Sequence, residues 1–414
     1  MNLKSIFFNS IFDVLNKNKL QYCIMNGYEE YPDVIGSDID ICVHNVEEFE
    51  RILLGLCKEL DYKLVQKLNH HYGCVNFFII KYFDNTPEIL SLDVYRHYIY
   101  KSQVLFDSEW FLEKKIKFKN FYIPDAENEF IYYLVKKVIK QDIDTSILHL
   151  SQKFSLLKNN IDITSFFPNK SQKIYNAFLS NNKEFFANNK KELLSDLNST
   201  VGFNYINKIR EVSRIIRRVF HPTGIMISIL GPDGCGKSAI IDAVKEVDLP
   251  FRRVDYFHLK PRIIGSKGDG EPVKDPHSKP DYKGFLSYLK LLHFMVDYWI
   301  GFLIKVLPLK IKSSLVIFDR YYDDIYIDPK RFRYGGSKGF AKLMKFFIPK
   351  PDITFVLTTS AKIIIERKQE VPFEELTRQI SEYKKIEGKD IVHIDVNDSI
   401  ESITLQVQKS IFEK

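Results

Sequence analysis

The chain contains no Cys-x-x-C pair: its five cysteines, Cys23, Cys42, Cys57, Cys74 and Cys235, stand apart from one another. This spacing gives no support for a disulfide framework or a paired-thiol zinc site, and a reducing, cytoplasmic compartment is the expectation. His70, His71 and Cys74 lie close together, but no second half-site of ligands follows, so a surface turn is expected there rather than a metal cluster. Internal repeats and low-complexity tracts are absent, which argues against solenoids and linker-dominated chains. A secretion signal is not expected, because Ile6, Phe7, Ile11, Phe12 and Leu15 recur at helical spacing with no small-residue cleavage site after them. A membrane-spanning run is missing too. The most apolar stretch, Phe285–Leu307, is interrupted on one helical face by Lys290, His293 and Asp297, whereas a span requires roughly 20 mostly apolar residues. It reads as a buried helix with its polar stripe toward a pocket, and contact with a membrane surface stays open. The net charge of +7 is a mild lysine-led excess that suits anionic substrates such as phosphates and is too weak to argue for nucleic acid.

What the sequence does hold is enough for several cores. At 414 residues, 45% apolar and 27% charged, two or three folded domains are expected. Residues 1–122 alternate helical and strand-like patterns, with helices near 3–18 and 46–60 and strands near 21–25, 38–43, 75–82 and 89–95. Residues 123–220 are helical and rich in lysine and asparagine. His221-Pro222-Thr223-Gly224 then punctuates the chain, and a third region, 221–414, begins. In it the short apolar runs Ile225–Leu230, Ser314–Phe318, Ile353–Leu357 and Ile391–Ile394 are separated by helical stretches. That is how a buried parallel sheet reads, and it predicts a doubly wound α/β domain.

The most informative segment is Gly231-Pro232-Asp233-Gly234-Cys235-Gly236-Lys237-Ser238, between an apolar run and a helical one. This is G-x-x-x-x-G-K-[ST] in its strand–loop–helix context. Gly231, Gly234 and Gly236 let the backbone bend so that successive N–H groups face one anion, and the helix N-terminus adds partial positive charge. Lys237 would reach the outer phosphates and the Ser238 hydroxyl would hold Mg²⁺. The apolar run Ser314–Phe318 ends in Asp319-Arg320. Asp319 could hold Mg²⁺ through water opposite Ser238, and Arg320 could clamp a second phosphate.

A second constellation lies in the first region, where Gly36-Ser37-Asp38-Ile39-Asp40 enters a strand. Asp38 and Asp40, two apart, share one face. Their mutual repulsion makes a Mg²⁺ site a physical solution, and Asp93, at the end of another apolar strand, could complete it. Lys136, Lys137 and Lys140 read as a solvated helix face, the alternative being charge turned toward a substrate.

Residues from about 222 to 414 resemble the thymidylate kinase family of nucleoside monophosphate kinases. The phosphate loop with an acid at its third position, Asp319-Arg320-Tyr321, the strand Pro351–Leu357, the segment Glu366-Arg367-Lys368-Gln369-Glu370 in the place of a basic lid, and the last strand and turn Ile391–Asp398 carry the resemblance. It implies a P-loop kinase with ATP as phosphoryl donor. Lys237 and Ser238 would serve ATP and Mg²⁺, Asp233 the acceptor sugar, Arg320 its phosphate and Arg367 the migrating phosphoryl group. The chain departs from that family after Tyr321. In place of a short segment rich in Ser and Ala it carries Asp323–Gly336, where Lys330, Arg331 and Arg333 alternate with aromatics and could bind a different anionic acceptor. Arg252, Arg253 and Arg262 could add to the same pocket. Residues 21–100 are similar to the nucleotidyltransferase superfamily of α+β folds through Asp38-x-Asp40 and Asp93, with Asn26-Gly27-Tyr28 where a Gly-Ser turn is usual.

The expectation is a two-headed enzyme: a nucleotidyltransferase-like region, helices, and an ATP-dependent kinase acting on a nucleoside monophosphate or a phosphorylated sugar or glycan. Two other readings stay open. One is a nucleotide-sensing regulator without useful turnover; the other is a nucleotidyltransferase that carries the kinase-like part as a docking module. A homodimer is compatible with each.

Overall fold

The computed structural model describes residues 3–36, 38–84, 86–157, 161–202, 204–261, 280–367 and 371–414, without the side chains of Leu3 and Arg367. It is a mixed α/β protein that divides into two compact units, Met1–Arg214 and Ile215–Lys414.

The first unit opens with helix α1 (Leu3–Lys17), whose Phe7, Phe8, Ile11, Phe12 and Leu15 are buried, as the helical spacing requires. A five-stranded sheet follows, made of β1 (Tyr22–Ile24), β2 (Asp38–Val43), β3 (Lys63–His71), β4 (Cys74–Phe83) and β5 (Thr86–Tyr95) in the order β1-β2-β5-β4-β3. Helix α2 (Val46–Glu59) connects β2 to β3. Asn45 starts it, its side chain accepting the Glu48 N–H at 3.1 Å. The sheet is mixed. β2 runs parallel to β5 with Asp40 opposite Asp93, and β4 runs antiparallel to β5 with Asn76 opposite Asp93. The β3–β4 hairpin had no counterpart in the sequence reading for its first strand. It turns at Tyr72-Gly73, so the His70/His71/Cys74 group is a hairpin end, with Cys74 buried.

Two small hairpins come next, β6 (His97–Tyr100) with β7 (Gln103–Asp107), and β8 (Ile116–Phe118) with β9 (Phe121–Ile123), separated by helix α3 (Ser108–Leu112). The helical stretch comprises α4 (Ala126–Lys140), α5 (Ile147–Ser155), α6 (Ser171–Leu179), α7 (Lys183–Asn188) and α8 (Lys190–Thr200). Its core of Phe130, Leu134, Leu150, Ile174 and Leu193 joins Cys23, Met25 and Cys42 of the sheet's other face. Helix α9 (Tyr205–Phe220) runs across the boundary between the units.

The second unit is built on β10 (Ile225–Leu230), β11 (Arg253–His258), β12 (Ser314–Asp319), β13 (Ile353–Thr358) and β14 (Ile391–Asp395). They are ordered β11-β12-β10-β13-β14, and every pair is parallel. β12 is buried at all six positions, which is why it reads as a continuous apolar run and not as an alternation. Helices α10 (Lys237–Glu246), α11 (Phe285–Gly301), α12 (Leu307–Ile311), α13 (Asp323–Ile327), α14 (Lys338–Met344), α15 (Ala361–Arg367), α16 (Phe373–Lys384) and α17 (Ile400–Phe412) complete the unit. β10 is central, so the chain leaving its carboxyl end emerges in the middle of the edge where β11, β12 and β13 also end. In parallel α/β sheets that edge is where ligands bind.

All five cysteines are free and buried. Among the described residues no helix is long and apolar enough to cross a membrane.

Gly224, just before β10, shows how tightly the sheet is fitted. A Cβ there would meet the Ser314 carbonyl oxygen at 2.5 Å and Lys310 Cα at 2.8 Å, both backbone atoms that cannot rotate away. Gly224→Ala should therefore cost about 2 kcal/mol of stability, measured by urea unfolding; an unchanged midpoint would show that the strand entry relaxes freely.

Candidate functional site

In the second unit the loop from Gly231 to Gly236 joins β10 to α10. Gly231, Gly234 and Gly236 take φ of +151°, +83° and +95°, in the region that side-chain-bearing residues avoid. At Gly231 a Cβ would also meet Cys235 Sγ at 2.9 Å and the Leu357 carbonyl at 3.0 Å. The buried Lys237 amino group curls back into the loop, donating to the Gly231 and Pro232 carbonyls at 2.8 Å each, and lies 3.8 Å from Asp233 Oδ1. Ser238 is exposed at the start of α10.

Asp319 closes β12 beside the loop and is 8% exposed. Tyr256 Oη donates to its Oδ2 at 3.2 Å, while its Oδ1 is buried without a hydrogen-bond partner among the described residues. A buried, unpartnered carboxylate oxygen is a costly arrangement in isolation and fits a missing cation or water-bound ligand. Burial, with Asp319 and the hydrogen bond to it, pushes the Tyr256 phenol well above its ordinary range, so it stays a donor.

Arg320 adopts φ +74°, a left-handed conformation that costs a non-glycine residue about 1 kcal/mol. It is over-determined. Its N–H donates to the Ile229 carbonyl at 3.0 Å, one guanidinium nitrogen meets Asp324 at 3.3 Å, and another is ion-paired with Asp233 Oδ1. Arg331 is ion-paired with the other oxygen of Asp233. Asp324 is fully buried and also accepts from the Tyr321 N–H at 3.0 Å and from Tyr383 Oη. The loop acid is thus gripped by two guanidinium groups, from two separate segments.

The remaining cations go elsewhere. Arg333 donates to the Pro280 carbonyl at 2.9 Å and stacks 4.2 Å from the Tyr282 ring centroid, so it is not brought to Asp233. Lys290 of α11 lies 4.9 Å from the centroid of the same ring and donates to the Phe332 carbonyl. Burial first, then the charges of Arg333 and Lys260, pull its pKa down to about 8. The sequence placed Lys290 on a polar stripe facing a pocket, without showing which groups it would meet. Arg253 pairs with Asp255 at 2.9 Å and sits with Arg252 at the amino ends of the strands, the edge opposite the loop, so neither joins the pocket. The Arg367 backbone closes α15. Its side chain, together with Lys368, Gln369, Glu370 and Arg262, lies outside the described residues.

In the first unit one carboxylate oxygen from each of Asp38, Asp40 and Asp93 lies within 4.8 Å of the others, the spacing at which a single cation can touch all three. Ser37, before Asp38, lies outside the described residues. Lys136 from α4 meets Asp40 Oδ2 at 2.7 Å, and Asn26 Nδ2 donates to the same oxygen at 3.2 Å. Asn76 Nδ2 donates to Asp93 Oδ1 at 2.6 Å, and His70 Nε2 is 3.4 Å from it. Burial raises the Asp93 pKa against these favourable partners. Lys136 corrects the reading of a solvated helix face: it is inside the acid cluster. Lys137 pairs with Asp142 at 2.9 Å and Lys140 is exposed. Lys136 follows Tyr132 by one turn on a helix whose Tyr132 and Val135 are buried; that register was the available signal.

A cleft of 560 Å³ adjoins this cluster, lined by Gly27, Tyr31, Gly36, His149 and Lys153 among others. Tyr31 feels the charge of both Asp40 and Asp38. Lys153 is buried and bridges Glu129 at 2.6 Å and Glu29 at 3.2 Å.

No protein-family model matches the chain, and no curated protein matches it.

Because Lys136 supplies positive charge where three carboxylates converge, it competes with a divalent cation. Lys136→Ala should tighten Mn²⁺ binding several-fold in calorimetric titration, and Asp40→Asn should abolish it. Equal or weaker binding by the alanine variant would show that the lysine is not a resident counter-ion.

Proposed function

We propose that the second unit is an ATP-dependent phosphotransferase of the P-loop, thymidylate kinase-like type, acting on an anionic acceptor, a nucleoside monophosphate or a phosphorylated sugar or glycan. The observation that carries this reading is the loop itself. Three positive-φ glycines, Lys237 and a helix start follow the central strand of a parallel sheet, with the unpartnered oxygen of Asp319 closing the neighbouring strand. The loop N–H groups and Lys237 would bind the triphosphate, the lysine exchanging its two carbonyl partners for phosphate oxygens. Ser238 and Asp319 would hold Mg²⁺, which when bound neutralises developing charge on the transferred group.

Arg320 and Arg331 would turn from the Asp233 carboxylate toward the acceptor's phosphate, both being bidentate donors suited to it. Lys290 and Arg333, both against the Tyr282 ring, add further positive charge next to Arg331 in sequence or by contact. Transfer of a phosphoryl group needs such positioning and charge neutralisation more than it needs a covalent catalyst.

The first unit has its own supporting observation, the three convergent carboxylates beside the cleft. We read it as nucleotidyltransferase-like, with Asp38, Asp40 and Asp93 as the residues that would hold Mg²⁺ and the cleft as the place of one substrate.

ATP with Mg²⁺ should give binding heat in calorimetry, weakened at least tenfold by Lys237→Ala, and ADP should form faster with the right member of a panel of phosphorylated acceptors. Absence of heat with both adenine and guanine triphosphates overturns the reading, and binding without acceptor-stimulated ADP turns it into a nucleotide sensor.

The depressed pKa of Lys290 has a defined sign. Its charge is present below about pH 8 and lost above, so acceptor affinity should fall through that range by up to about tenfold per pH unit. Lys290→Met should bind weakly at every pH and lose this slope. A wild-type slope that survives the substitution would assign the titration to another group.

A further inference from the structure

Helix α11 buries one side and leaves the other bare. Ser287, Leu291, Phe294, Asp297 and Tyr298 face the unit's core. Phe285, Leu289, Leu292, Val296 and Trp299, and Leu303 just past the helix end, are exposed at successive three- and four-residue intervals. The stripe is widened by a neighbour. Trp299 Nε1 donates to the Phe347 carbonyl at 2.5 Å, and the Tyr288 and Phe340 rings meet edge-on at 5.2 Å, which lays α14 and its following turn alongside α11. That turn adds Phe346, 85% exposed, and Phe347, 54% exposed. An aromatic-rich apolar face of this extent marks a docking surface.

The charges around it identify the occupant. Between residues 282 and 318 the sequence has a single acid, Asp297, and between 329 and 351 it has none. Asp297 is 1% exposed and ion-paired with Lys260. Lys338 at the start of α14, Lys283 just before α11 and Lys312 just after α12 are exposed, and Lys342 of α14 lies 3.6 Å from Glu382. A second copy meeting this face across a two-fold axis would bring Lys283, Lys312 and Lys338 toward their own kind, with no acid in these stretches of the partner to answer them. An anionic lipid surface answers both features at once: its headgroups match the lysines, and the headgroup–acyl boundary accepts the aromatic and aliphatic side chains.

We infer that the α11–α14 face is a membrane-docking surface specific for anionic lipid, on which the second unit lies without spanning the bilayer. This is independent of the phosphotransferase reading, since none of its residues belongs to the loop or to the Asp233 cluster.

The test is co-sedimentation of the full chain with vesicles of phosphatidylcholine alone and of phosphatidylcholine with about one-third phosphatidylglycerol, a composition chosen to carry negative surface potential. The protein should pellet with the anionic vesicles only. Leu292→Glu with Leu303→Glu, and separately Lys312→Glu with Lys338→Glu, should each reduce binding at least tenfold with an unchanged circular dichroism spectrum. A measurement on the native face comes from Trp299, one of two tryptophans in the chain. In a Trp110→Phe background its emission should shift to the blue on adding anionic vesicles and be quenched by brominated acyl chains. Protein left in the supernatant with anionic vesicles, or an unmoved Trp299 emission, overturns the proposal. So does a dimer in sedimentation velocity that Leu292→Glu with Leu303→Glu converts to monomer while vesicle binding persists, since that assigns the face to a second copy.

Discussion

The second unit is organised around one charge chain, from Asp233 in the glycine loop through Arg320 to the buried Asp324. Arg320 is 4% exposed and held in a left-handed backbone conformation. A buried guanidinium is tolerable only when its charge is answered, and here carboxylates lie on two sides. One answer, Asp324, is structural: it is sealed inside with Tyr383 and the Tyr321 N–H. The other, Asp233, is on the loop and is 23% exposed at its side chain. The sealed partner holds the arginine independently of the more exposed one. The left-handed backbone at Arg320 is thereby held by its N–H bond to Ile229 and by carboxylates of two segments.

The acid cluster of the first unit solves a similar problem with the opposite sign. Asp38, Asp40 and Asp93 come together because β2 and β5 run parallel in a register that puts Asp40 beside Asp93. Like charges at that distance repel, and Lys136, Asn26 and Asn76 offset part of the repulsion from three different elements. Both units thus gather charges of one sign from distant segments and answer them with partners of the other.

Much of this was legible along the chain. The strands at 22–24, 74–83, 86–95, 225–230, 314–319, 353–358 and 391–395 read as largely apolar stretches and that at 38–43 as an alternation of acids with apolar residues, and the glycine loop can be read off with its flanks. β3 and β11 were not seen as strands, because Lys63–His71 and Arg253–His258 are edge strands, charged and only partly buried, with too little apolar content for a periodic signal. The cations were the hardest to place. Arg331 and Arg333 are two residues apart, yet the first reaches Asp233 and the second turns to Tyr282, and no local pattern separates them.

The sequence by itself determined what depends on neighbours in the chain: the loop's bend, from glycines that can take positive φ; the helices, from their apolar spacing; the shared face of Asp38 and Asp40, from the two-residue period of a strand. Only the tertiary structure decided which distant charges meet. Lys136 with Asp40, Arg331 with Asp233 and Arg333 with Tyr282 are each separated by dozens of residues, and their pairing follows from strand register and helix packing, which no window of sequence contains.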